Sequence, residues 1–146
     1  LKLIKCFYCL LCKNITESLN LFFGTLLKVD GVFRDRTEEF VKKFQSACNI
    51  TVDGIAGQET WLCLDQIKSQ IGKFHPTQRE GDKGDYVKYL QVWLNGYYSS
   101  QLLVDGNFGS KTEDLVKQFQ QQRSLTVDGI VGSQTWSQLE QPNWDI

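Results

Sequence analysis

Histidine is nearly missing from this sequence: His75 is the only one in 146 residues. A zinc amidase or peptidase needs several His and carboxylate ligands, and no H-E-x-x-H occurs, so zinc hydrolysis is excluded. No G-x-S-x-G elbow and no Cys-His signature is present, which removes the usual nucleophilic routes. The paired Asp and Glu residues sit at predicted helix starts, where capping accounts for them better than a glycosidase cleft does. The expectation is therefore no catalytic residue, no metal site and no cofactor. No apolar run approaches the ~18–20 residues that cross a bilayer, so no membrane span is predicted. The formal net charge is −1 and no run of five basic residues appears. That gives no field to gather nucleic acid. Methionine is absent even at position 1, so Leu1 reads as a processed or fragment start.

Cysteine is present in a number that prevents complete pairing: Cys6, Cys9, Cys12, Cys48 and Cys63, all in the first half. Odd and crowded, they do not resemble a disulfide framework. Cys6, Cys9 and Cys12 have C-x2-C-x2-C spacing but lack a fourth ligand. They are better read as small apolar residues along a helix. That helix is predicted from Ile4, Phe7, Tyr8, Leu11, Ile15, Leu19 and Phe22, which recur at intervals of three and four. The charged, then apolar, opening also has part of the pattern of a secretory signal, without a small-residue cleavage site.

Apolar residues make up 41% of the chain and charged residues 23%, enough for a core. What organises them is duplication. Residues 29–66 align without a gap on residues 104–141 at a constant offset of 75, with 20 of 38 positions identical. The identities include Trp61 with Trp136 and Phe44 with Phe119, so chance is not an explanation.

Within each copy a shorter motif recurs. Val-Asp-Gly, with Thr six positions after the Gly, occurs at Val29–Thr37, Val52–Thr60, Val104–Thr112 and Val127–Thr135. Asp-Gly supplies a turn, since Gly tolerates positive φ and Asp bonds the local backbone. One carboxylate per turn is too few for an EF-hand, so calcium is not expected. Ser110 and Ser133 are predicted N-caps, and Ser110–Glu113 and Asp35–Glu38 have capping-box form. Leu115, Val116 and Phe119 form an apolar face that Phe40, Val41 and Phe44 repeat. Trp136 with Leu139, and Trp61 with Leu64, mark a third short helix whose Trp is read as core rather than sugar-stacking. Leu90, Trp93, Leu94 and Tyr97 mark the first helix of the second copy. The predicted fold is all-α, two tandem three-helix bundles at residues 1–68 and 81–146. Residues 69–80 are predicted to be a linker, with His75 exposed in it.

The run Gly81–Gln91, followed by Val104-Asp-Gly-Asn-Phe-Gly109, Thr112, Phe119-Gln120, Val127-Asp-Gly-Ile-Val-Gly132 and Thr135-Trp136, resembles the three-helix peptidoglycan-binding domain family over about sixty residues. The first copy resembles it from Leu19 onward. It departs at Arg34, where the second copy has Gly109, and at Ile15-Thr16, which replaces Leu90-Gln91. The resemblance implies attachment to cell-wall glycan or its stem peptides, and implies a separate wall-degrading catalytic domain as partner. It also implies action at a bacterial wall, secreted or phage-encoded. In such domains the loops before the second and third helices border a shallow groove. That makes Asp105, Asn107, Phe108, Asp128, Ile130 and Thr135 candidate ligand contacts, with Asp30, Asp53 and Thr60 in the first copy. For the four aspartates turn formation is the competing role, and the one favoured. Tyr97, Tyr98 and Trp144 are candidate exposed aromatics. A protein-interaction or autoinhibitory domain is the alternative. None of the five cysteines has the Pro-Arg-Cys-Gly setting of metalloproteinase pro-segments, which such helical bundles also form.

Overall fold

The computed structural model describes residues 10–141. Cys6, Cys9, the predicted helix positions Ile4, Phe7 and Tyr8, and Trp144 lie outside them. Six helices follow in order: α1 Leu10–Phe23, α2 Asp35–Cys48, α3 Gln58–Gln70, α4 Asp85–Tyr98, α5 Ser110–Gln122 and α6 Ser133–Leu139. The described residues contain no strand, only isolated bridges: Gln78 pairs with Val131 and Lys83 with Asn107, and Ala56 is a further bridge residue. The fold is all-α, as the periodicity predicts.

The apolar stripes become the core. Ile15, Leu19 and Phe22 of α1, Val41 and Phe44 of α2, Leu90, Trp93 and Leu94 of α4, and Val116 and Phe119 of α5 are all buried. Trp136 is buried and Trp61 partly so, in keeping with a packing role. Helix starts differ in one respect. The residues preceding the second and third helices of each copy are Arg34, Gly57, Gly109 and Gly132, in extended conformation and without side-chain caps. Ser110, Ser133 and Asp35 are first helical residues, one position inside the predicted caps. Helix α2 is capped by Asn49 in a left-handed conformation (φ 56°): its own amide donates to the Ser46 carbonyl and the Ile50 amide to the Gln45 carbonyl.

The two copies are not beads on a linker. Helix α4 packs on α2, and one continuous core includes side chains of both copies. Phe22 sits 5.1 Å from Phe44 and 4.7 Å from Trp93, ring centre to ring centre. Its ring lies so close to Gly96 that a Cβ there would stand 2.7 Å from it. Polar bonds fix the register: Asn95 Nδ2 donates to the Ala47 carbonyl at 2.9 Å and the Val104 amide to Asn49 Oδ1 at 2.7 Å.

Residues 71–80 are docked rather than loose. Gln78 exchanges backbone bonds with Val131, and the Trp136 indole donates to the Pro76 carbonyl at 3.1 Å. His75, expected to be exposed, is buried between Tyr89 and Trp136, with its Nε2 against Glu140. The flanking Pro and Gly gave a loop signal, whereas the burial comes from partners 14 to 65 residues away. Cys48 and Cys63 form a disulfide between α2 and α3, contrary to the expectation from an odd count. Cys12 is a buried residue of α1, as expected.

Candidate ligand-binding site

Each Val-Asp-Gly turn in the second copy is held by a buried glutamine. Gln120, on α5, donates through Nε2 to Asp128 Oδ1 (2.9 Å), the Ile130 carbonyl (2.9 Å) and Thr135 Oγ1 (3.3 Å). Its Oε1 accepts from the Asp128 and Gly129 amides at 3.1 and 2.9 Å. Both ends of the amide are satisfied, as a buried group requires. Gln45 does the same in the first copy with Asp53, Ile55, Thr60 and Gly54. Gln91, on α4, clamps the other turn of the second copy, donating to Asp105 Oδ1, the Asn107 carbonyl and Thr112 Oγ1 and accepting from Gly106 N. The turn glycines are needed there: Gly54, Gly106 and Gly129 have φ near +73°.

The fourth turn lacks this clamp because Thr16 stands where Gln91 does, and its hydroxyl turns back to the Cys12 carbonyl at 2.6 Å. Arg34 substitutes, gripping both Asp30 oxygens at 2.8 and 2.6 Å. The two departures of the first copy thus bear on one turn, Thr16 bonding its own helix and Arg34 binding Asp30.

All four turn carboxylates are thus committed within their loops. The Arg34 side chain holds Asp30 far below the ordinary carboxylate range. The backbone amide of Asn107 lowers Asp105, helped by Gln91, and that of Ile130 lowers Asp128, helped by Gln120.

The expected contact residues divide by depth. Asp53, Asp105, Asn107 and Asp128 are exposed on the loop surfaces, and Asp30 and Ile130 are half-buried. Phe108, Thr60 and Thr135 are buried beneath them, so their side chains shape the loops and do not face solvent. Tyr97 and Tyr98 are half-buried rather than fully exposed. Tyr97 donates to the Leu139 carbonyl at 2.8 Å, Tyr98 to Gln122 at 2.9 Å, and burial pushes both phenols up to about 12. Gln45, Gln91 and Gln120 belong to the motifs that carry the resemblance, but sequence reasoning assigns them no role. Their signal was the repeated spacing, with Gln45 and Gln120 each eight residues before an Asp-Gly.

Three depressions open on this surface. One of about 360 Å³ lies over the second turn of the first copy, beside Asp53, Ile55 and Gln58. One of about 420 Å³ lies in the second copy beside Leu125, Ser133 and Ser137. The third, of about 670 Å³, runs between α3 and α4, where the copies meet.

A doubled three-helix unit with shallow grooves beside clamped turns defines a binding module. The chain belongs to the peptidoglycan-binding domain family: residues 14–64 and 83–139 both match the family described as "Putative peptidoglycan binding domain". The chain is 32% identical over 112 residues to the N-acetylmuramoyl-L-alanine amidase CwlM of Mycobacterium tuberculosis, covering 74% of this chain and 27% of that protein. It is 36% identical over 131 residues to an autolytic lysozyme of Clostridium acetobutylicum, covering 90% and 38%. It is 39% identical over 67 residues to the zinc D-Ala-D-Ala carboxypeptidase of Streptomyces albus G, covering 44% and 26%. The chain therefore spans between about a quarter and two-fifths of the length of these relatives. No solved structure gives a significant match.

Proposed function

We propose that this chain is a passive anchor: it holds a wall-degrading catalytic domain against peptidoglycan, outside the cytoplasm, and hydrolyses nothing itself. The supporting observation is where its acidic groups go. The four turn carboxylates are tied to backbone amides, glutamines or Arg34, and Asp30, Asp105 and Asp128 are held below the ordinary carboxylate range, which leaves these three unsuited to exchanging a proton near neutral pH. The Cys48–Cys63 disulfide fits maturation in an oxidising compartment. The contact surface we assign is the exposed rim of the loops, Asp53, Asp105, Asn107 and Asp128, with Ile130 beside it and Asp30 and Tyr98 at its margin.

The test is sedimentation of the purified chain with insoluble peptidoglycan, with wall turbidity followed in parallel. Retention above a control protein at unchanged turbidity is expected. An unretained chain would refute the anchor, and falling turbidity would refute its passivity.

A further inference from the structure

The cleft between α3 and α4 exists only because the two repeats are locked together, and duplication supplies its internal control. The wall on the α3 side is made by Ile50, from the loop that follows α2, and by Glu59, Leu62, Cys63 and Gln66 of α3. At the offset of 75 the same positions in the second copy are Leu125, Gln134, Ser137, Gln138 and Gln141. In the second copy this surface has no counterpart of α4 facing it among the described residues. Where a facing wall exists, Ser becomes Leu and Gln becomes a disulfide-bonded Cys. Leu62 is nonetheless 55% exposed, and Tyr86 across the cleft is 40% exposed. The Tyr86 ring stands 5.8 Å from that of buried His75, but the exposed part of neither side chain serves the core. Ile50, Val92 and the Cys48–Cys63 disulfide make an apolar lining, and Gln66, Gln70, Glu59, Asp85 and Lys88 surround it.

Resting on the peptidoglycan-binding reading, we propose that this inter-repeat cleft is a glycan subsite that takes a short, uncharged stretch of N-acetylated amino-sugar strand. Its volume falls within the roughly 300–1,000 Å³ of small-ligand sites. An exposed tyrosine ring offers a sugar a flat apolar face, acetamido methyl groups suit the lining of Ile50, Leu62 and Val92, and carboxamides and carboxylates suit hydroxyl groups. Two lining carboxylates, Glu59 and Asp85, stand against one ammonium, Lys88, so the excess is negative. That excess disfavours the free carboxylates of a stem peptide and leaves a neutral strand unaffected. The walls are set beforehand by the Asn95–Ala47 and Val104–Asn49 bonds, so binding needs little reordering.

The test is amide chemical-shift titration of the full chain with an N-acetylglucosamine tetramer, and separately with a soluble stem tetrapeptide. The tetramer is expected to shift Leu62, Gln66, Tyr86 and Val104. Tyr86→Ala, and Leu62→Ser, which installs the second copy's own residue, are each expected to weaken its binding by about tenfold while leaving other amide positions in place. The proposal is overturned if the tetramer shifts only the loops around Asp53 and Asp128, if it does not bind, if both variants bind as the parent does, or if the peptide occupies the cleft. Each of those results leaves sedimentation of the parent chain with peptidoglycan intact. Loss of that sedimentation would remove the broader reading.

Discussion

Arg34 holds Asp30 with both terminal guanidinium nitrogens, Nη1 and Nη2, 2.8 and 2.6 Å from the two carboxylate oxygens, at the position where the second repeat has Gly109. It replaces from the loop side a clamp that Gln91 supplies from the helix side. Arg34→Gly should therefore lower the melting temperature. Thr16→Gln in the same chain should recover part of the loss, because a glutamine there can reach the turn as Gln91 does. A thermal-melt cycle over the two single variants and the double variant reads the coupling directly.

The depressed aspartates set a direction for acid sensitivity. A carboxylate whose folded pKa lies below its unfolded value stabilises the fold fully above the unfolded pKa, and the contribution fades as pH falls towards the folded one. Asp30, Asp105 and Asp128 all shift downward from 3.8. Urea midpoints should stay flat from neutrality to near pH 5 as far as these groups are concerned, then drop below about pH 4. Asp105→Asn should flatten part of that drop, and an unchanged profile would count against the loop bonds.

Gln120 serves five partners from a fully buried position. Gln120→Ala leaves the Asp128 and Gly129 amides and the Ile130 carbonyl without it, which should cost about 3 kcal/mol in urea unfolding. Gln120→Glu should not rescue the loss, since its second oxygen faces three acceptors, two of them unable to donate. Exposed Gln121→Ala is the control and should change little.

Gly96 measures how firmly the repeats are joined. Alanine inside a helix gains about 1 kcal/mol over glycine. Here its methyl would stand 2.7 Å from the ring of Phe22, which is fixed between Phe44 and Trp93. Overpacking costs about 1–3 kcal/mol, so Gly96→Ala should destabilise on balance. A neutral or stabilising result in calorimetry would mean the two copies part easily.

Much of this was legible in the sequence because duplication tests every pattern twice. The helix faces of Val41 and Phe44, and of Val116 and Phe119, recur at one offset, and both are buried. The turn role of the aspartates followed from Asp-Gly chemistry. What was missed depends on distant partners. A glutamine inside an amphipathic helix looks like a solvated residue until the loop it holds is brought over it. Phe108 sits in a loop and Thr135 in the first turn of α6, each next to exposed residues, and local pattern does not say which of these side chains turns inward. Cys48 and Cys63 were obscured by three further cysteines, and only the approach of α2 to α3 pairs them. His75 had loop neighbours in sequence but aromatic neighbours in space.

The docking of α4 against α2 changes what having two repeats accomplishes. A flexible tether would let each half search for its own foothold, with effective concentration set by tether length. Here Phe22, Asn95 and Asn49 span the junction. On the proposed reading, footholds on the two halves would be spaced as on a calliper, and a polymer would engage both together only by presenting its features at that one separation.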